Sequence, residues 1–491
     1  MKLRFRLIVS AGVLLSGLCA AEVYLQPERG TARAQAAAPA GSQLVQAVEV
    51  YIEPRFDSLP ADAYQMKQPP KLSAADLARI ERALQKSHGP MPPLPVEPGI
   101  DASRIQPNSP ATDALMPDAG GPKPASGPPP APVSGTAALE PPGPQAAGDF
   151  RFFRVTDVTP ATAGSTSFVD EPSVSQVGQT VFYTGNWFGA LSTDGGRTFT
   201  FVNPFTGPFP PVNAGFCCDQ SVVADPSRNV IFWEQQYIND GNTATQRINV
   251  DRNADGTWDC DYDFTPQNLG LPAGRQFDFP DLVVGANSLY HSSNIFNQTS
   301  PFATEAMISR YPLNEMSNCQ GFGYQAIVRN DNFSLRATHG TGSTVYIGSH
   351  NSTSQIRIFN WTEGSGTYFF DDRNINAWSA GVGVCPGPDG KDWCGFADSR
   401  IQGAYLANGV IGFMWNASQG GGFAYPQVQV AQFRESDRAF LSQAQIWNPS
   451  YAWQYPSVGV NGRGHLGGTI AVGGGSIRAA TRGSPTTPTA A

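Results

Sequence analysis

The chain has 491 residues, of which 15% are charged and 40% hydrophobic, and it contains 52 glycines and 42 prolines. Low charge and abundant glycine are typical of a loop-rich β protein rather than a helical bundle. A formal net charge of −8 argues against general nucleic-acid binding, and no apolar run of membrane-spanning length follows residue 20, so no integral membrane segment is expected.

The first residues have the order of an export signal. Residues 1–6 are short and basic, residues 7–20 are apolar, and Ala20 and Ala21 are small. This order predicts a secretory signal peptide over 1–21 and a secreted or cell-envelope location. A short membrane anchor is the alternative. A lipid anchor on Cys19 is disfavoured because bulky Leu18 precedes it.

Two segments separate the signal from the main domain. Within 22–89, Ser73 and Asp76 followed by periodic apolar residues predict one short capped helix. Residues 90–149 are rich in Pro, Ala and Gly and cannot bury enough apolar surface to offset their ordering entropy. We therefore expect a Pro-rich, largely disordered N-terminal arm. The alternative is an irregular arm that packs on the following domain.

One pattern recurs six times between residues 150 and 478. Each copy has an acidic or polar lead, an aliphatic anchor, a turn and an aliphatic run. The anchors are 48 to 66 residues apart: Val174, Val222, Leu282, Leu335, Ile401 and Val458. Four short strands per period is what a β-propeller requires. We predict an all-β, six-bladed β-propeller over 150–478 and a disordered tail over 479–491, with a sandwich of hairpins as the alternative.

Six cysteines remain once Cys19 is removed with the signal. An even number in an exported chain predicts disulfides rather than a metal site, and no Cys-x-x-Cys spacing occurs. Two cysteines are close in a Gly/Pro-rich loop, and two are adjacent and either form a vicinal bridge or split to separate partners. The simplest set is Cys385–Cys394, Cys217–Cys218 and Cys260–Cys319.

Residues 192–199 read Ser-Thr-Asp-Gly-Gly-Arg-Thr-Phe. Such a sequence predicts a hairpin turn between outer strands, in which Ser and Asp bond local backbone groups and Gly permits the turn. The motif resembles that of the sialidase-like Asp-box propellers, a superfamily of glycosidases and many non-sialidase relatives. The resemblance covers about residues 150–475 and concerns the fold more than the chemistry.

This resemblance implies a set of catalytic candidates. In sialidases three arginines hold a carboxylate, a tyrosine activated by a glutamate is the nucleophile, and an aspartate is the acid/base. Arginine suits the first role because its planar guanidinium binds a carboxylate through two bonds. The candidates here are Arg154, Asp170, Glu171, Arg336, Arg400 and Tyr455. The alternative is that the arginines bridge neighbouring blades.

Acidic residues lead into most of the predicted first strands, and these leads would gather at one mouth of a propeller. The candidate binding residues are Asp219, Asp278, Asp281 and Asp398. Paired carboxylates can cleave a glycosidic bond or hold a cation. In the alternative, each aspartate caps its own turn.

A separate stretch, residues 251–259, alternates oxygen-bearing side chains around a glycine. It resembles the calcium loops of integrin-type propellers and dockerins, which implies Asp251, Asn253, Asp255 and Asp259 as metal ligands. An ordinary hairpin turn would have a similar sequence. Calcium is the one cofactor expected.

Taken together, the sequence predicts an exported sialidase-like propeller that binds or cleaves a carbohydrate, such as a cell-surface glycan, at its mouth. A glycoside hydrolase is the enzyme class it favours. The alternative is a non-catalytic binding or cell-surface scaffold propeller, and lyase or lactonase chemistry is a third possibility. Neither a nucleic-acid partner nor an integral membrane segment is expected.

Overall fold

The computed structural model describes residues 43–87, 91–96, 105–112, 171–297, 300, 302–388, 390, 392–395 and 398–486. The predicted signal peptide and the candidates Arg154 and Asp170 lie outside these residues. Within the described part, no helix is long and apolar enough to cross a membrane.

The N-terminal part begins with strands β1 (Gln43–Gln46), β2 (Val48–Ile52) and β3 (Gln65–Met66), with a 3-10 turn at Ala61–Ala63. Helix α1 (Ala74–Ser87) follows. The Ser73 hydroxyl accepts a hydrogen bond from the Asp76 N–H at 3.1 Å, and the Asp76 carboxylate accepts one from the Ser73 N–H at 3.3 Å. This reciprocal cap confirms the predicted helix.

Six antiparallel sheets, here called sheets I to VI, follow in chain order. Sheet I contains β4 (Ser173–Val177), β5 (Thr180–Gly185), β6 (Phe188–Ser192) and β7 (Thr200–Val202). Sheet II contains β8 (Phe216–Asp225), β9 (Val230–Tyr237), β10 (Thr245–Asp251) and β11 (Cys260–Phe264). Sheet III contains β12 (Arg275–Val284), β13 (Ser288–Asn297), β14 (Ala303–Pro312) and β15 (Phe322–Arg329).

The remaining sheets repeat this order. Sheet IV contains β16 (Arg336–Ala337), β17 (Thr344–Ser352), β18 (Gln355–Thr362) and β19 (Thr367–Asn374). Sheet V contains β20 (Ile401–Ala407), β21 (Val410–Ala417), β22 (Gln427–Arg434) and β23 (Phe440–Ile446). Within the described residues, sheet VI has three strands, β24 (Ala452–Val460), β25 (Leu466–Gly474) and β26 (Ile477–Thr486). A 3-10 turn at Pro266–Leu269 and helix α2 (Leu313–Ser317) connect strands.

The predicted repeat corresponds to these sheets, and the all-β class is confirmed. All six aliphatic anchors lie in or next to the first strand of a sheet, and the first strands of consecutive sheets pack against one another. Five anchors are buried, whereas Val174 is 61% exposed. The predicted end of the domain at 478 is wrong, because β26 continues to Thr486.

The N-terminal residues pack on these sheets. Strand β1 pairs with β19, β2 with β15 and β3 with β7, so each adds a fifth, outer strand to sheets IV, III and I. Between them, Arg55 forms an isolated bridge with Asp261 of sheet II. We call residues 43–66 the belt. Residues 105–112 bond to sheet V, where the Asn108 side chain donates to the Gln443 carbonyl at 3.0 Å.

These contacts show that residues 43–66 and 105–112 pack on the sheets, whereas the expected disorder of the Pro-rich stretch stays a prediction. The described pieces agree with its alternative, an irregular arm packed on the domain. Most of the Pro-rich stretch 90–149 lies outside the described residues.

Apolar side chains fill the spaces between the sheets, and three disulfides support the connections. Cys217–Cys218, Cys260–Cys319 and Cys385–Cys394 are all present, so the simplest predicted pairing is confirmed. Cys260 lies at the start of β11, and Cys319 follows α2. The second bridge therefore joins sheet II to sheet III.

Candidate functional site

Most of the predicted site residues that the structure describes lie in or just before the first strand of a sheet. We define the mouth by these side chains: Glu171, Asp219, Asp278, Phe279, Asp281, Arg336, Asp398, Arg400 and Tyr455. They lie in or just before the first strands of all six sheets, and contacts or electrostatic interactions connect them.

Phe279 lies at the centre of this network. It sits in a bulge of β12 between Asp278 and Asp281 and has a φ of 58°. Its N–H donates to Asp219 Oδ2 at 3.2 Å, which holds this left-handed conformation. The guanidinium carbons of Arg336 and Arg400 each lie 4.6 Å from the centroid of its ring.

Phe279 therefore orients both arginines through cation–π contacts. Sequence analysis missed Phe279. Its aromatic side chain within an acidic lead was the available signal.

Both arginines are paired with carboxylates. Arg336 Nη1 lies 2.8 Å from Asp281 Oδ1, and its Nε donates to the Ile401 carbonyl at 3.3 Å. Arg400 Nε lies 2.6 Å from Asp398 Oδ2, and its Nη1 lies 3.6 Å from Asp278 Oδ2. The guanidiniums are thus neutralised within the mouth and also bridge sheets, as the alternative interpretation expects.

Tyr455 lies beside this pair on β24, with its φ at 53°. Its N–H donates to Asn416 Oδ1 at 2.9 Å. Burial raises the pKa of the Tyr455 phenol, and the charges of Glu171 and Asp398 raise it further against the effect of Arg400. Tyr455, Glu171, Asp398 and Arg400 therefore lie within electrostatic range of one another.

Asparagines at the ends of second strands fix the backbone of the mouth. Asn186 Oδ1 accepts the Glu171 N–H at 3.1 Å, and the Asn186 amide donates to Glu171 Oε2 at 3.2 Å. Asn294 likewise accepts the Ser334 N–H at 2.6 Å, as Asn416 does for Tyr455. Each of these three asparagines stands at the end of its own copy of the repeat. The repeat pattern alone did not indicate that their side chains hold the backbone of the mouth.

A cavity of about 330 Å³ opens beside Arg400. Its polar wall includes Asp398, Ser399, Arg400 and His350, and its apolar wall includes Phe333 and Val382. Residues 91–94 also line it. Cavities of this volume are at the small end of the range that binds organic ligands.

Below the mouth, two buried titratable groups escaped sequence analysis. Glu234 on β9 is fully buried, and burial together with the charge of Asp219 raises the pKa of its carboxyl well above the usual range. His291 on β13 is also fully buried, and its Nδ1 lies 3.0 Å from the Tyr311 hydroxyl. Burial lowers the pKa of His291 to about 3.

The candidate calcium ligands lie in the hairpin between β10 and β11. The Asp251 carboxylate accepts the N–H groups of Asp255 at 3.1 Å and Gly256 at 2.8 Å, and Asp259 accepts that of Arg252 at 2.9 Å. The Asn253 carbonyl accepts a bond from the Asn229 amide at 2.6 Å.

These bonds are those of a tight turn. Among the described residues, the group of three potential metal ligands is Cys385, Asp392 and Cys394, in which both cysteines are oxidised. Calcium binding at the hairpin stays a prediction.

The motif at residues 192–199 joins β6 and β7, the third and fourth strands of sheet I. Asp194 Oδ1 accepts the N–H groups of Arg197 and Thr198 at 2.8 and 2.9 Å, and Ser192 Oγ accepts that of Gly196 at 2.8 Å. The bonds from Thr198 and Ser192 hold the pKa of Asp194 far below its usual range. The motif therefore has a structural role in the turn.

No protein-family model matches the chain, and no curated protein matches it. Among solved structures, the subtype N10 neuraminidase-like protein of A/little yellow-shouldered bat/Guatemala matches with 9% identity over 65% of this chain and 95% of that chain, at a TM-score of 0.38. The NanB sialidase from Streptococcus pneumoniae matches with 10% identity over 62% and 65%, at 0.38. The Penicillium chrysogenum alpha-L-arabinanase, solved with arabinobiose, matches with 11% identity over 65% and 96%, at 0.37.

Two of these three matched structures are a neuraminidase-like protein and a sialidase. This chain spans less than two thirds of the NanB chain. Identity near 10% transfers no residue roles, so the chemistry of the mouth follows from its own side chains.

Proposed function

We propose that the six sheets are the blades of a six-bladed β-propeller, and that this exported protein binds and cleaves a neutral carbohydrate at the mouth. Two observations support the ring. The first strands of consecutive sheets pack in order from β4 to β24. Glu171, just before sheet I, interacts electrostatically with Tyr455 of sheet VI.

The proposal rests on the electrostatic interaction of Tyr455 with Glu171, Asp398 and Arg400, of which Asp398 and Arg400 line the cavity. A phenol flanked by carboxylates and held by a rigid backbone is suited to nucleophilic attack at an anomeric carbon. Glu171 would accept the phenol proton, and a mouth aspartic acid would protonate the departing glycosidic oxygen. Water would then release the sugar from Tyr455.

Charge favours a neutral sugar over an acidic one. Both mouth arginines are already paired, and five carboxylates surround them, namely Glu171, Asp219, Asp278, Asp281 and Asp398. An anionic ligand would have to break an ion pair and approach a region of negative potential. This distinguishes the site from one built to hold a carboxylate with free arginines.

The test is a glycan array and a panel of chromogenic glycosides with the full chain, with and without calcium. We expect neutral glycosides to be hydrolysed and the rate to fall about 10²–10⁴-fold in Glu171→Gln, as for loss of a general base. Tyr455→Phe removes the nucleophile and should abolish turnover. Tyr51→Phe is the matched control, because Tyr51 forms an exposed bond to Glu53 at 2.6 Å in the belt.

The second candidate is a non-catalytic scaffold, and the ion pairing of both arginines favours it. Glycan binding without turnover, unchanged by Tyr455→Phe, would establish this alternative. Turnover lost equally in Tyr51→Phe would contradict the assignment of Tyr455.

A further inference from the structure

Residues 91–96, here called the strap, form a wall of the cavity at the mouth. The strap reads Met-Pro-Pro-Leu-Pro-Val, and its first four residues line the same cavity as Asp398 and Arg400. Met91 Sδ accepts weak bonds from the Ser334 hydroxyl at 3.3 Å and the Asn294 amide at 3.5 Å. The strap therefore touches the same residues that shape the mouth backbone.

The strap is weakly attached to the sheets compared with the other N-terminal segments. Its three prolines have no N–H to donate. Among the described residues, one main-chain hydrogen bond joins it to the domain, from the Thr353 N–H in the turn between β17 and β18 to the Pro95 carbonyl at 3.2 Å. Leu94 packs partly buried against the apolar cluster shared by sheets IV and V, whereas Val96 is 62% exposed.

The neighbouring segments are held far more firmly. Strands β1 and β2 pair along their whole length with sheets IV and III. Arg79 of helix α1 donates to the carbonyls of Ala214 and Phe216, both at 3.0 Å. Segments with few hydrogen bonds and little buried surface open at the lowest free-energy cost. The strap is therefore the part of this wall that can move while the remainder stays in place.

We propose that the strap is a gate on the mouth, closed over Arg400 and Asp398 in this structure and displaced when a ligand larger than the cavity enters. A space of about 330 Å³ holds a single small ligand. A longer chain can reach Arg400 only when residues 91–94 leave their positions. Leu94 holds the strap in the closed position, because its side chain packs against the apolar cluster of sheets IV and V.

The test measures access to Arg400 directly and requires no carbohydrate. The full chain is treated with phenylglyoxal, which modifies arginine, and the rate at each arginine is followed by peptide mass mapping. Leu94→Asp places a charge against the apolar cluster and should open the gate. Val96→Asp places the same charge on the exposed end of the strap and is the matched control.

We expect Arg400 to be modified about tenfold faster in Leu94→Asp, since removing part of a leucine's burial energy raises the open population. The rate in Val96→Asp should equal that of the unaltered chain. Arg434, whose side chain is 54% exposed, is the internal reference and should react at one rate throughout. Met91→Ala is a milder second variant that should also accelerate modification of Arg400.

An unchanged rate at Arg400 in both Leu94→Asp and Met91→Ala overturns the proposal. Acceleration in Val96→Asp as well, or at Arg434, indicates general loosening and also overturns it. The gate matters biologically only if the mouth binds a ligand, so it rests on the proposed function. The two failures are distinguishable, because a negative glycan screen leaves the labelling result intact and a constant labelling rate leaves glycosidase activity intact.

Discussion

At the scale of single residues, the burial of His291 and that of Glu234 make stability depend on pH in opposite directions. His291 is neutral in the folded state because burial lowers its pKa to about 3. The unfolded chain binds this proton near pH 6.5, so the contribution of His291 to stability is complete above that pH and is lost as pH falls toward 3. Glu234 has a raised pKa, so its contribution is complete at low pH and declines as pH rises.

The first prediction concerns His291. Between pH 7 and pH 5 the unfolded histidine gains a proton that the folded one does not, which lowers the free energy of unfolding by about 2 kcal/mol. His291→Asn keeps a polar group near Tyr311 but does not titrate. The loss between these pH values, measured by urea denaturation, should therefore be about 2 kcal/mol smaller in His291→Asn.

His465→Asn, in an exposed turn, is the control and should show the loss of the unaltered chain. An identical pH dependence in His291→Asn would mean that His291 is charged in the folded protein.

The sequence predicted which side chains meet at the mouth better than it predicted the ion pairs that they form. Arg336, Arg400, Tyr455 and the mouth aspartates do come together. The ion pairs of the arginines depend on bulges and left-handed residues such as Phe279, which carry no periodic signal. Glu234 carried no sequence signal of its own, although the structure buries it completely.

At the scale of elements, the belt extends the sheets. Strand β2 lies along β15, and Ile52 is 8% exposed within the apolar cluster of sheets II and III. On the same strand, Val48 is 41% exposed. The alternating valines of this segment were a strand signal that sequence analysis did not use. Its partner strand, β15, is more than 250 residues away in the sequence, so no local pattern indicates the pairing.

The second prediction tests whether the belt is an integral part of the domain. Ile52→Ala leaves a cavity between β2 and the sheet cluster, and we expect a loss of about 2–4 kcal/mol in the free energy of unfolding. Val48→Ala should cost much less, since its side chain already meets water. Urea denaturation measures both. Equal losses in the two variants would show that burial of the Ile52 side chain does not stabilise the domain.

At the scale of the whole molecule, the repeat was predictable and its irregularities were not. The anchors marked the six first strands because the spacing of a repeat survives sequence divergence. The three-stranded form of sheet VI and the outer strands contributed by the belt required the structure, because both depend on pairings between distant segments. The disulfide pairs could be predicted from the sequence because two cysteines are close together and two are adjacent. The two remaining cysteines then complete the simplest set.

The third prediction compares two of these disulfides. Cys260–Cys319 spans 59 residues and Cys385–Cys394 spans 9. Loop-closure entropy implies losses of about 4 and about 2.5 kcal/mol when each bridge is replaced by a pair of serines. We therefore expect Cys260→Ser/Cys319→Ser to melt at the lower temperature in calorimetry. The reverse order would show that strain or local packing outweighs chain entropy.

The belt also has a kinetic consequence. The Gln46 side chain donates to the Gly366 carbonyl at 2.8 Å across 320 positions of the chain. During synthesis the N-terminal residues emerge first, yet β1 and β2 have no partner strand until sheets III and IV have been made. Contacts between such distant positions form late and slowly. The earliest-made part of the described chain is therefore among the last to reach its final place.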